Sequence, residues 1–269
     1  MKIPRATPGN KTVLLTGACS GIGLEMARLL AARGYQLIVV SHREEPLHQA
    51  ARDLRCRFGA AVFPIVMDLA HSKAAEELFE RVGSLQLTVD ILINNAGMFF
   101  FGEVADTDPT AANRMLALHV TTPSLLATLF SKGMRSRGKG HILFVSSISA
   151  WRDFPGIAYY GSTKKYLRGF ANALRSELAP YGVNVTCLAP GATATGLYDP
   201  NVVPVDLAKK LGVMMPAESV AQAGLEALFN NEAECLPGVL TRAMTAAAVA
   251  MPQPVIDWIR RRGPWLKSG

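Results

Sequence analysis

The sequence predicts an α/β protein built on a parallel sheet, and three observations carry that prediction. Short apolar runs alternate along the chain with longer segments of helix-compatible apolar spacing. The runs are almost continuous in Val, Ile and Leu, the pattern of strands covered on both faces. The first run also passes through a glycine-rich turn directly into a helical segment.

The chain has 269 residues, 49% of them hydrophobic, enough to bury one large core, and it is expected to form a single domain over residues 1–269. No internal repeat interrupts it. Cys19, Cys56, Cys187 and Cys235 lie far apart without a CxxC pair, so they read as reduced core or near-core thiols, with no zinc or disulfide framework. The first ten residues lack an apolar signal-peptide region and no apolar run is long enough to span a bilayer, so a cytoplasmic location is expected. The formal net charge of +7 suits an anionic partner such as a phosphate-bearing cofactor. No nucleic-acid motif accompanies it, and nucleic acid is not expected as a partner.

Thr12 to Thr16 reads as the first strand, Gly17 to Gly23 as a turn of GxxxGxG spacing, and Leu24 to Arg33 as a helix stopped by Gly34. Glycines here let backbone approach a pyrophosphate, and the N–H groups opening the helix favour its charge. The next strand, Gln36 to Val40, ends at Ser41-His42-Arg43, where a dinucleotide fold meets the adenosine ribose. A carboxylate there would select NAD, whereas a basic group accommodates the 2′-phosphate of NADP. With no acid before Glu44, NADP(H) is favoured over NAD(H); Arg43 opening a solvated helix is the plainer alternative.

A helix from about Glu45 to Arg57 leads to a strand from Ala61 to Met67, which ends at Asp68 and Leu69. Asp68 either touches an adenine or caps its own turn. After a helix near Lys73 to Val82, the strand Asp90 to Ile93 runs into Asn94-Asn95-Ala96-Gly97. Small residues and amides there would let a ribose pack close and would cross-link strands, although the tetrapeptide is also a plausible plain turn.

The run His141 to Val145 is a further buried strand with Ser147 just beyond it, and open α/β sheets place ligands at such strand ends. Tyr160 and Lys164 stand four apart on a helical segment and so share one face, a spacing that an ordinary solvated helix face also produces. An ammonium beside a phenol favours the phenolate, which suits Tyr160 to exchange a proton with an alcohol or ketone.

These motifs together resemble the short-chain dehydrogenase/reductase family. The resemblance rests on Thr16 to Gly23, Asn94 to Gly97, Ser147 thirteen residues ahead of Tyr160, Tyr160 with Lys164, and Pro190 to Thr195, all in family order. It implies a single Rossmann domain, a doubly wound parallel sheet with helices on both faces. By the same resemblance Tyr160 is the general acid or base, Ser147 positions the substrate oxygen, and Lys164 tunes Tyr160 and holds the nicotinamide ribose. Gly17, Ser20, Gly21, Ile22 and Gly23 would cradle the pyrophosphate. His42, Arg43, Asp68 and Leu69 would surround the adenosine, and Asn95, Ala96 and Gly97 the neighbouring ribose. Pro190, Gly191, Thr193 and Thr195, after the strand Asn184 to Leu188, would flank the nicotinamide end. The family also makes a homodimer or homotetramer the expected assembly.

At one place the chain departs from the pattern: His119 stands where relatives carry an asparagine that anchors a proton-relay water. His119 serves the relay by its ring or by its backbone carbonyl, or it is a satisfied packing residue. The substitution also keeps open a second class of function, an NADP(H)-binding sensor or scaffold with impaired catalysis.

The loops expected around the substrate are apolar, with Met98 to Phe101, Trp151, Phe154, Leu197 and Tyr198. They suit a bulky apolar ketone or alcohol with one polar handle. Gly196 to Met215 is expected to be a substrate lid, and Ala217 to Phe229 a helix closing the ordinary domain. The extension Thr241 to Gly269 is broken at Met251 to Pro254 and places tryptophans beside Arg260 to Arg262. A solvated, dimer-packing tail is favoured there over contact with a membrane surface.

Overall fold

The computed structural model describes residues 11–194 and 214–262, the last four without their side chains. Thr195, Leu197, Tyr198 and most of the expected lid fall outside the described residues. Seven strands form one sheet: β1 (Thr12–Thr16), β2 (Gln36–Ser41), β3 (Val62–Val66), β4 (Val89–Asn94), β5 (Gly140–Val145), β6 (Val183–Leu188) and the short β9 (Glu234–Cys235). Their order is β3-β2-β1-β4-β5-β6-β9, and every pairing is parallel. A second, two-stranded sheet pairs β7 (Thr193–Ala194) with β8 (Met215–Pro216).

The strand order reverses between β1 and β4, which opens a crevice at their carboxyl ends, the place where doubly wound sheets bind ligands. Helices cover both faces: α1 (Gly21–Ala31), α2 (Glu44–Phe58), α3 (Ala74–Ser84), α4 (Pro109–Leu116), α5 (Thr122–Arg137), α6 (Ala158–Leu178) and α7 (Ala217–Phe229). Because strand side chains alternate faces, each run divides between two cores. Val13 and Leu15 pack with Met26, Leu30, Leu47 and Leu225 on one face. Leu14 packs with Leu78, Leu126, Ile142 and Leu167 on the other. That two-sided burial explains why the strands read as continuous rather than alternating apolar runs.

Several boundaries move from the sequence expectation for identifiable reasons. Helix α1 begins at Gly21, not Leu24, so the second half of the glycine-rich turn is already helical, and it ends at Ala31. Gly34, at φ +82°, turns the chain three residues later. Helix α2 runs to Phe58 and stops at Gly59 in the left-handed conformation, which tolerates glycine without Cβ strain. Strand β4 includes Asn94, so the Asn94 to Gly97 segment starts inside the sheet rather than as a plain turn. Cys187 and Cys235 are buried thiols, pushed up to about 12 and about 11 by burial, whereas Cys56 is exposed and not part of the core.

The extension forms two helices, α8 (Val239–Ala250) and α9 (Gln253–Arg262), separated at Met251-Pro252 as the sequence expects. No helix among the described residues is long and apolar enough to cross a membrane.

Candidate active site

A cleft of about 450 Å³ opens at the carboxyl ends of β1, β2, β4 and β5. Its floor is the β1–α1 turn. Gly17 lies at φ +69° and Gly21 at +56°, conformations in which a side chain would be strained. Ser20 is the N-cap of α1 but makes no side-chain capping bond, and no acid occupies the first turn. The helix therefore presents uncapped N–H groups to the cleft, a donor set suited to a diphosphate. Ser20, Gly21 and Ile22 line the cleft, whereas Gly23 lies beneath it. A Cβ on Gly23 would overlap the Gly17 carbonyl oxygen and the Asn95 amide nitrogen, so this glycine serves close packing.

Asn95 holds the turn in place. Its Nδ2 donates to the carbonyls of Thr16 at 2.9 Å and Gly17 at 3.1 Å. In return, the Thr16 hydroxyl accepts the N–H groups of Asn95 and Ala96, each at 3.0 Å. This is the strand cross-link the amides imply, and Asn95, Ala96 and Gly97 all border the cleft.

At the far end, Ser41, His42 and Arg43 form the wall after β2, with Asp68 and Leu69 after β3 opposite them. The Ser41 hydroxyl accepts the Arg43 N–H at 3.1 Å and lies 3.1 Å from the Cys19 sulfur. Asp68 accepts the Ala70 N–H at 3.0 Å and pairs with Arg114 of α4 at 2.9 Å. Burial alone would raise the Asp68 carboxyl, but the Ala70 amide, Arg114 and His42 outweigh it and hold it below the ordinary carboxylate range. Sequence reasoning missed Arg114, because nothing local marks a residue that meets its partner only through the fold.

Ser147, Tyr160 and Lys164 converge on the opposite end of the same cleft. Ser147 follows β5, and its hydroxyl accepts the Ser149 N–H at 3.2 Å. Tyr160 and Lys164 occupy consecutive turns of α6 and are both buried. Lys164 Nζ donates to the Val145 carbonyl at 3.0 Å and sits 5.5 Å from the centre of the Tyr160 ring. Burial pulls its ammonium down to about 8. Ser146 ties the same elements together, donating its hydroxyl hydrogen to the Lys164 carbonyl at 2.8 Å.

Pro190, Gly191 and Thr193 close the cleft beyond β6. His119 does not line it: the ring is buried behind Met98 and α6. Of the apolar residues expected around the substrate, Met98 borders the cleft and Phe99 packs edge-on against Tyr160 at 4.9 Å. Trp151 instead covers the Arg168 guanidinium at 4.1 Å, and Arg168 is engaged by Glu234 at 2.7 Å. Trp151 is thus occupied by packing, away from the cleft wall. Among the described residues, no group of three or more His, Cys, Asp or Glu side chains is arranged to hold a metal ion.

A doubly wound sheet with a dinucleotide-type cleft and a Ser-Tyr-Lys set at its inner end defines an NAD(P)-binding oxidoreductase of alcohols and carbonyls. The chain belongs to the short-chain dehydrogenase/reductase family, whose model, described as short chain dehydrogenase, matches residues 11–202. It is similar to the human dehydrogenase/reductase SDR family member 4, 34% identical over 187 residues that cover 69% of this chain and 67% of that protein. Among solved structures it is similar to a short-chain dehydrogenase from Sphingobium yanoikuyae in complex with NADPH. That chain is 27% identical with a TM-score of 0.78, and 90% of this chain and 96% of the other are covered. The bulky-bulky ketone specific alcohol dehydrogenase from Comamonas testosteroni is also 27% identical, with a TM-score of 0.75 and coverage of 90% and 95%.

Proposed function

We propose that the protein uses NADP(H) to interconvert an apolar ketone and its alcohol, reduction being the cellular direction. The observation that carries the cofactor preference is the wall after β2, where Ser41, His42 and Arg43 face the cleft without a carboxylate. On that wall a 2′-phosphate meets hydroxyl and basic groups, and the Asp68 carboxylate opposite is paired with Arg114. The NADPH held by the Sphingobium relative supports the same reading.

When bound, the nicotinamide would supply or accept the hydride. Ser147 orients the substrate oxygen by hydrogen bonding, and the Tyr160 hydroxyl gives that oxygen its proton during reduction. Lys164 lies beside Tyr160 as a buried cation and favours the tyrosinate left behind. Its ammonium would also hold the ribose of the nicotinamide, the role that the family resemblance gives it. Gly17, Gly21 and the opening of α1 receive the diphosphate.

Met98, which borders the cleft, and Phe99, which packs against Tyr160, support an apolar substrate, and the bulky-ketone specificity named for the Comamonas relative points the same way. A homodimer or homotetramer in the cytoplasm remains the assembly and location we assign. A sensor without catalysis is not favoured, because binding alone does not require Ser147 and Tyr160 at the inner wall.

The test follows NADPH and NADH oxidation against a panel of bulky apolar ketones, with Tyr160→Phe in parallel. NADPH-dependent turnover that disappears in the variant supports the proposal. Tight NADPH binding with no turnover of any ketone would transfer the argument to the sensor.

A further inference from the structure

His119 lies on a five-residue π-helical stretch, Ala117–Thr121, between α4 and α5, and is 1% exposed. Its two ring nitrogens meet different partners. Nε2 is 3.0 Å from the Met98 backbone nitrogen, and because an amide N–H only donates, Nε2 is the acceptor. In a neutral ring Nδ1 then carries the hydrogen and donates it to the Thr163 hydroxyl at 3.0 Å. That hydroxyl uses its own hydrogen on the Tyr160 carbonyl at 2.8 Å. Donors and acceptors are consistent along the whole chain, so one tautomer satisfies every group.

We propose that His119 is a positioning residue, a neutral two-armed brace that holds the Met98 loop with one nitrogen and the Tyr160 turn of α6 with the other, without carrying the reaction's proton. A neutral imidazole has one donor and one acceptor, and here both are used. To relay a proton the ring would have to release Met98 or Thr163. Burial, and then the Lys164 ammonium, oppose a second proton on the ring. Gly97 leaves the space the brace needs: a Cβ there would stand 3.2 Å from His119 Nε2 and 3.7 Å from Lys164 Nζ.

The two arms act on different steps. Met98 borders the cleft and leads into Phe99, which packs against Tyr160, so that arm governs how the substrate side is shaped. The Thr163 arm supports the backbone of Tyr160 itself and so governs the alignment of the proton donor. Asparagine at 119 is long enough to imitate Nδ1 toward Thr163 but too short to reach the Met98 amide. It cuts one arm only.

The kinetic half of the inference rests on the proposed reductase activity, whereas the tautomer can be read without turnover. Protein labelled with 15N-histidine would be followed by long-range H–N correlation NMR, with His119 assigned by its disappearance in His119→Asn. The expected ring is neutral and protonated at Nδ1 throughout the neutral pH range. Protonation at Nε2, or titration within that range, would overturn the brace.

With NADPH and 2-acetylnaphthalene as the probe ketone, His119→Asn should raise KM about five- to tenfold, the worth of one buried hydrogen bond, with kcat changed less than about twofold. Thr163→Val should do the reverse, and Thr163→Ser should restore kcat. A collapse of kcat in His119→Asn, with a displaced pH profile, would identify a relay and defeat the proposal. If the wild-type protein turns over no ketone, the reductase reading fails while the NMR result still decides the brace. If a Thr163 variant does not fold, the same spectrum decides it, and His119→Gln supplies the assignment if His119→Asn does not fold.

Discussion

Lys164 Nζ reaches across to the backbone carbonyl of Val145 at 3.0 Å, joining the second turn of α6 to the last residue of β5. The strand end that presents Ser147 is thereby fastened to the helix that presents Tyr160. One buried cation both ties the strand end to the helix and borders the cleft between them.

That position has a thermodynamic cost. Burial lowers the Lys164 pKa from 10.5 to about 8, so the fold disfavours the ammonium relative to the unfolded chain. The unfolded state therefore binds more protons between about pH 8 and 10.5, and stability rises with pH through that window. At neutral pH the penalty is on the order of 3 kcal/mol. Lys164→Met should abolish turnover yet make the cofactor-free protein more stable at pH 7, with the advantage shrinking toward pH 10.5. Urea unfolding at the two pH values measures it, and equal stability at pH 7 would count against the buried-cation account.

His119 carries the opposite end of the pH scale. Its ring is held well below 6.5 by burial and then by Lys164, while in the unfolded chain it takes a proton near that value. The neutral ring's contribution is complete above about pH 6.5 and is lost as pH falls below it, by up to about 1.4 kcal/mol per pH unit. His119→Asn should flatten this acid-side loss. Unfolding midpoints at pH 7 and pH 5.5 should converge in the variant more than in the wild type.

Asn95 makes two donor bonds that hold the glycine-rich turn against the Asn94 to Gly97 segment. Asn95→Ala leaves the Thr16 and Gly17 carbonyls short of partners and should cost about 1–3 kcal/mol. The loss should fall on cofactor affinity as well as on melting temperature, because the turn is the floor of the cleft. A variant that melts earlier but binds NADPH unchanged would separate the turn's stability from its binding geometry.

On the proposed use of NADP(H), Arg43→Asp should shift the cofactor preference toward NAD(H). Removing a charge-assisted contact to a phosphate and adding a repelling carboxylate should raise KM for NADPH by at least about tenfold and leave KM for NADH equal or lower. Steady-state assays with both cofactors read it directly; unchanged selectivity would move the 2′-phosphate away from this wall.

Much of this architecture was legible in the residues because local chemistry wrote it. The continuous Val, Ile and Leu of Gln36–Ser41 and Gly140–Val145 require burial on two faces, and the Gly17 to Gly23 turn joins a strand to a helix by its own conformational demands. Less legible were features that depend on distant partners. Arg114 meets Asp68 across 46 positions, Trp151 is claimed by Arg168, and Thr163 becomes part of the site only because His119 arrives from another helix.

By itself, then, the sequence determined the alternation of strands and helices and the glycine-rich turn, since hydrophobic periodicity and glycine content are local properties, while the grouping of Ser147, Tyr160 and Lys164 rested on the family resemblance of the motifs together. Only the tertiary structure decided which tautomer His119 adopts, that Gly23 packs beneath the cleft instead of lining it, and that Lys164 is fastened to Val145. Those outcomes turn on which donor faces which acceptor once the chain is folded, and on how much water is left beside a charge.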